Sequence, residues 1–256
     1  MKTASRLKRI GTGVAVAAVW LVVWILLARV VEKELLLPYP WTVLRKLGEL
    51  CLSIDFWESV SLTLLRILAG IFAALFCGTV LAVITCRSSL ILRLVYPIIT
   101  VIRATPVASF IILIWIWLGA GKLPIFICFL MVLPIVWAGV SDGIKAVDEK
   151  LIQVCRVYKF SRWKRIRQLY IPSVLPFFLS ACKTSIGMAW KAGVAAEVLA
   201  VTPISVGKHL YNAKLYLETS ELFAWTAAVI LLSLAIERLT GLLLARLGNR
   251  RSYVKD

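Results

Sequence analysis

Six runs of apolar residues, each near the roughly 20 helical residues that cross about 30 Å of hydrocarbon, constrain this chain more than any other feature. They span Ile10 to Ala28, Leu62 to Thr85, Leu94 to Leu118, Leu123 to Val140, Phe177 to Ala200 and Leu222 to Ala245. In a bilayer the backbone must satisfy its own hydrogen bonds, so runs of this length are read as helices. The expected fold class is therefore an all-α integral membrane protein with six transmembrane helices. With 256 residues, 61% of them hydrophobic, little chain is left for a soluble domain. The apolar run at the N-terminus is too long for a secretory leader, carries Trp20 and Trp24, and lacks a small-residue cleavage site. It is expected to be a retained first span.

Charge then orients the spans. A formal net charge of +17 would suggest nucleic acid in a soluble chain, but here its distribution follows the loops. Even-numbered spans put both termini on one side. With that side cytoplasmic, eighteen Lys and Arg fall in cytoplasmic segments and seven outside, the asymmetry expected of an inner-membrane protein. The cytoplasmic set includes Lys2, Arg6, Lys8 and Arg9 at the start and Arg246, Arg250, Arg251 and Lys255 at the end. The partners implied are membrane lipid and other proteins, with no nucleic acid. Six scattered cysteines without a CxxC pair, and a single histidine, His209, give no disulfide framework and no metal site.

Three parts follow from this reading. Residues 1–60 hold the first span and an extracytoplasmic amphipathic segment, residues 61–245 the membrane core, and residues 246–256 a cytoplasmic tail. The amphipathic segment, Leu35 to Ser59, is too polar to span and is expected to lie on the outer interface, with Thr42 as a candidate N-cap.

The longest cytoplasmic connection, residues 141–176, contains RVYKFSRWKRIRQLYIPSVLP, with six cations and no acid between Arg156 and Pro176. Leu151, Val154, Cys155 and Tyr158 fall on one stripe of a short helix. Phe160 and Ser161 break the rhythm, and Ser161 is placed to cap a second helix carrying Trp163, Ile166, Leu169 and Tyr170. Pro172 is expected to stop that helix and Pro176 to open the next span. Such an elbow, with an apolar stripe on each arm, needs a surface to dock on.

The stretch AVDEKLIQVCRVYKFSRWKRIRQLYIPSVLP resembles the EAA loop of permease subunits in binding-protein-dependent (type I) ABC importers. Asp148, Leu151, Ser161, Trp163, Ile171, Pro172 and Pro176 match that pattern. LLLPYPWTVLRKL, SLTLLRILAGIFAALFCGTVLA, YPIITVIRATPVASFIILIWIWLGAG and GMAWKAGVAAEVLA are similar to the nitrate, sulfonate and taurine branch. Gln153, Val154 and Cys155 stand where the family has Glu-Ala-Ala, and Lys159 stands where it has Gly. If that Gly serves a turn at positive φ, Lys159 is held there at a cost or the elbow is built differently. The resemblance implies a coupling helix that seats on a separate ATPase, involving Arg156, Tyr158 and Phe160 with the residues above. It further implies a second permease copy forming a homodimer, two ATPase subunits, and an extracytoplasmic substrate-binding protein or lipoprotein. No phosphate-binding loop is present: GAGK at Gly119–Lys122 lacks both the first Gly and the following hydroxyl. ATP and Mg²⁺ are thus expected on the partner ATPase, with no catalytic residue and no cofactor in this chain.

Charges inside the spans are costly, at about 2.5–3.5 kcal/mol each at a helix centre, and so informative. Arg66, Arg238 and Lys183 are assigned to snorkelling. Arg103, Pro106, Trp190, Lys191 and Glu197 are taken as translocation-path residues, against a structural alternative in which the cations pair with Glu197 or a partner subunit. Glu197 is read as the one acid well inside a span. A cationic lining favours a small anionic solute such as a sulfonate, taurine or nitrate. The rival readings are a stand-alone secondary transporter or channel, which should carry more membrane acids, and a membrane enzyme or sensor, which lacks a nucleophile-base pair.

Overall fold

The computed structural model describes residues 2–249, and every regular element in it is helical. The side chains of Lys2, Arg6, Lys8 and Arg9, and the tail cations Arg250, Arg251 and Lys255, lie outside the described residues. In order the helices are α1 (Lys2–Val31), α2 (Pro40–Cys51), α3 (Ile54–Arg87), α4 (Ser89–Ala104), α5 (Val107–Lys145), α6 (Glu149–Val157), α7 (Arg162–Arg165), α8 (Ile171–Ala200), α9 (Val206–Leu215) and α10 (Thr219–Asn249). Four stretches are long and apolar enough to cross a membrane, namely Ile54–Arg87, Val107–Lys145, Arg162–Ala200 and Thr219–Leu243, with Ala15–Val31 a shorter apolar helix.

The chain forms two compact units, one comprising the chain up to Glu58 with His209–Ile230, the other Ser59–Lys208 with the chain from Leu231 onward. The first is tied by aromatic rings with polar tips. Trp225, fully buried, stacks on His209 at 4.4 Å and meets Phe56 at 5.1 Å. His209 Nε2 lies 3.4 Å from an Asp55 carboxylate oxygen, and Trp24 donates its indole N–H to the Pro38 carbonyl at 3.1 Å. This use of Trp, an apolar body with one donor to satisfy, explains why the segment after α1 is ordered.

Here the expected amphipathic segment is shorter than read from sequence. Tyr39, not Thr42, precedes the first turn, because Pro40 supplies a φ already suited to a helix start. The helix ends at Cys51, and the Ser53 hydroxyl accepts the Phe56 N–H at 3.3 Å. Residues from Ile54 onward, including Asp55 and Glu58, therefore belong to the long helix α3.

The second unit is built on α5 packed along α8. Ile111, Ile114, Leu123 and Ile127 of α5 bury against Ala192, Ala196 and Ala200 of α8. Large residues on one helix facing small ones on the other let the backbones approach, the packing that works where lipid offers no hydrophobic drive. At Gly193 an added Cβ would lie 2.6 Å from Ile67 and 2.8 Å from the Cys128 sulfur, so only glycine fits. The Trp137 indole N–H is satisfied by Thr85 Oγ1 at 3.0 Å.

One break falls inside an expected span and a second between two of them. The run Leu94 to Leu118 is broken at Thr105–Pro106, where Thr105 is extended (φ −79°, ψ 131°), as the residue before a proline prefers. The second break is at Gly119 (φ 68°, ψ 167°), where α5 leaves helical geometry at the connection expected between Leu118 and Leu123. Its 39 residues would otherwise be about 59 Å of straight helix, twice the hydrocarbon thickness.

Candidate functional site: a charged groove, a buried clasp and a cationic elbow

The groove lies within the second unit. A cavity of about 830 Å³ is lined by Lys183, Gly187, Met188 and Lys191 of α8, Met131 of α5 and Glu237 of α10, among others. Lys183, Gly187 and Lys191 recur every four positions, with Met188 beside Gly187, and so share one helical face. Lys183, Lys191 and Glu237 have no side-chain ion pair or hydrogen bond among the described residues. Lys183 therefore belongs to the groove and is not simply snorkelling. Glu237 was missed in the sequence because it neighbours Arg238 near the end of a span, a setting that suggests an interface anchor.

Of the five expected path residues, only Lys191 lines this groove. Trp190 is 2% exposed, packed in the core, because adjacent helical residues point about 100° apart. Pro106 caps the start of α5, one residue before the groove-lining Val107. Arg103 donates to the Pro134 carbonyl at 3.0 Å, so it bridges α4 to α5.

Glu197 is fully buried in a clasp. It accepts from Thr63 Oγ1 at 2.8 Å, from Arg66 at 3.2 Å and from the Gly207 N–H at 3.4 Å. Arg66 also donates to the carbonyls of Ile204 at 3.0 Å and Pro203 at 3.1 Å. The clasp closes the turn after α8, where Val201 and Ile204 both take positive φ. Arg66 is therefore a buried-acid partner, and its snorkelling assignment is corrected. A buried carboxylate is tolerable only when paired and hydrogen-bonded, and Thr63 and Arg66, one helical turn apart on α3, supply both.

In the elbow, Asp148 caps α6, accepting the Lys150 N–H at 2.8 Å. The helix ends with Phe160 N–H bonded to the Cys155 carbonyl at 2.9 Å and Lys159 N–H to that of Arg156 at 3.1 Å. This is the pattern of a Schellman motif, and Lys159 occupies its left-handed position with φ 49°. The conformation a glycine would take freely is thus imposed on lysine. Ser161 caps α7 as expected, accepting from Lys164 N–H at 3.3 Å, and the Lys164 ammonium sits 4.2 Å over the Phe160 ring.

The expected stripe on α6 divides in two. Cys155 is buried with Val147 and Leu169, while Ile152, Phe160 and Tyr170 pack around them. Leu151, Val154 and Tyr158 remain exposed, with Val157 and Trp163. Pro172 does not stop the second arm. A π-helical turn, Ile166–Tyr170, joins α7 to α8, and the wider turn accommodates a proline that has no N–H and crowds the preceding turn. Trp163 and Lys191 therefore stand on one continuous helical stretch, Arg162–Ala200, and Pro176 lies inside α8 and does not open it. Among the described residues, no three His, Cys, Asp or Glu side chains gather to hold a metal.

Comparison with known proteins is consistent with this geometry. Residues 66–252 match the family described as "Binding-protein-dependent transport system inner membrane component". The taurine transport system permease protein of Escherichia coli is 26% identical over 234 residues, covering 89% of this chain and 84% of that protein. A putative aliphatic sulfonates transport permease protein of Bacillus subtilis is 26% identical, covering 83% and 77%. Among solved structures, a bacterial ABC transporter involved in the import of alginate superposes with a TM-score of 0.61 at 14% identity, covering 96% of this chain and 99% of that one.

Proposed function

The chain belongs to the binding-protein-dependent transport system inner membrane components, and from that premise we propose how its parts divide the work of import. As a member, it is a multi-pass inner-membrane permease and not an enzyme; ATP is hydrolysed by a partner ATPase.

Six crossings are formed by α1, α3, the broken pair α4 to Leu118, the rest of α5, α8 and α10, with both termini cytoplasmic. Residues 1–60 supply the first crossing and an outer amphipathic helix, 61–245 the permease core, and 246–256 a cytoplasmic tail. Two copies form a homodimer with two ATPase subunits, which bind ATP and Mg²⁺, and an extracytoplasmic binding protein delivers the solute.

Coupling runs through residues 141–176. The observation that carries this reading is the apolar face of α6: Leu151, Val154 and Val157 are 48%, 47% and 78% exposed, on an otherwise polar helix whose own small core is already filled. Exposed apolar residues in such a setting mark a protein contact. Displacement of the elbow by the ATPase passes along the Arg162–Ala200 rod to the groove. Val154→Asp should abolish co-purification with the ATPase and ATP-driven uptake while the permease still folds. Unchanged assembly and uptake would reject the assignment.

The groove around Lys191 is the translocation path, and its two ammonium groups favour a small solute with an anionic group, such as a sulfonate. The names of the two curated relatives support that class. Arg103, Pro106, Trp190 and Glu197 act by positioning helices around the path.

A further inference from the structure

On one face of α8, Lys183, Gly187 and Lys191 follow each other at intervals of four residues, about 6 Å of helix rise each. The Glu237 side chain lies over the middle position: a Cβ at Gly187 would come within 2.7 Å of its Oε1. The carboxylate thus occupies the space where any other residue would place a side chain, between two lysines. All four residues line the same cavity, and the three charges are not matched to one another or to other described groups. A groove meant for simple anions gains nothing from this arrangement. An unpaired carboxylate repels an anion and weakens the lysines' attraction, and holding a charge in a membrane helix is costly.

From this we infer that Glu237 is a specificity residue, seating the ammonium group of a zwitterionic solute whose anionic group meets Lys191. The spacing suits an ammonium and an anion joined by two or three carbons, because about 6 Å separates the carboxylate's turn from each lysine's. Aminosulfonates and β-amino acids share this chemistry. The inference rests on the groove being the translocation path, and Gly187 serves it by leaving room for the carboxylate.

The test is saturation-transfer NMR on the purified permease–ATPase complex without binding protein, where weak binding to the groove is read directly. The probes are taurine and β-alanine, each against its analogue without the amino group, ethanesulfonate and propionate. The wild-type complex should bind the amino compounds in preference. Glu237→Gln, nearly isosteric, should weaken taurine binding about tenfold, the loss expected for one charged hydrogen bond, and leave ethanesulfonate within about twofold. Gly187→Ala, which displaces the carboxylate but keeps its charge, should act in the same direction. Lys191→Met should weaken both members of each pair.

Equal effects of Glu237→Gln on taurine and ethanesulfonate, or no effect on either, would overturn the zwitterion assignment while leaving the groove intact. Unchanged binding of every probe after Lys191→Met would instead remove the path reading beneath it. Failure of the wild-type complex to bind any probe would overturn both. Co-elution of each variant with the ATPase checks folding, and the two sources separate by whether taurine or β-alanine binds more tightly.

Discussion

The clasp at Glu197 and the groove at Lys191 lie in the same helix, six residues apart, yet hold their charges differently. Glu197 is fully buried and meets a cation, a hydroxyl and a backbone N–H. Lys191 faces a cavity and meets no described partner. Charge within a membrane helix thus serves structure when its partners come from the chain itself, and points to a ligand when they do not. Sequence position alone does not separate the two cases, and partner geometry does.

That contrast predicts a graded set of outcomes. Glu197→Ala should have the largest effect, leaving Thr63 and the Gly207 N–H without their acceptor and Arg66 without its carboxylate partner. Breaking a buried pair costs about 3–5 kcal/mol, visible as a sharp fall in folded yield and in thermal stability in detergent. Thr63→Val removes one hydrogen bond to the carboxylate and should cost about 1.5–3 kcal/mol by the same assay. Lys191→Met should leave thermal stability within about 0.5 kcal/mol of wild type, while uptake in proteoliposomes falls about tenfold through loss of one charged contact. Arg103→Met should cost about 1 kcal/mol or less in thermal stability, because its carbonyl bond to Pro134 is partly solvated. If Lys191→Met destabilised the fold as much as Glu197→Ala, the division between structural and ligand-facing charge would fail.

Much of this was legible in the sequence where a local rule decides. The apolar run of α3 and the Ser161 cap follow from length and from Ser–x–x spacing, and they appear as read. The positive φ at Lys159 follows one of the two alternatives that a lysine at the family's Gly position offers. What was not legible required contacts far apart in the chain. Arg66 and Glu197 are separated by 131 residues, so nothing near Arg66 announces its partner. Gly187 and Glu237 are likewise brought together only by packing. Pro172 was misread for another reason: a proline ends a helix unless the preceding turn widens, and the π turn at Ile166–Tyr170 has no composition signature. The α6 stripe divided because a four-residue period cannot tell the side facing the elbow's own core from the side facing outward.

The elbow and the outer segment are both short amphipathic helices with an exposed position at the end, a native cysteine in α2 and a valine replaceable by cysteine in α6. Cys51, exposed at the end of α2, should be outside, and Val157, 78% exposed at the end of α6, should be inside against the ATPase. The most direct test of the account is therefore a membrane-impermeant maleimide applied to cells and to inverted vesicles carrying Val157→Cys. Cys51 should label only in intact cells, and Cys introduced at 157 only in inverted vesicles, with labelling suppressed when the ATPase is bound. Labelling of position 157 from outside intact cells would contradict the coupling role of the elbow.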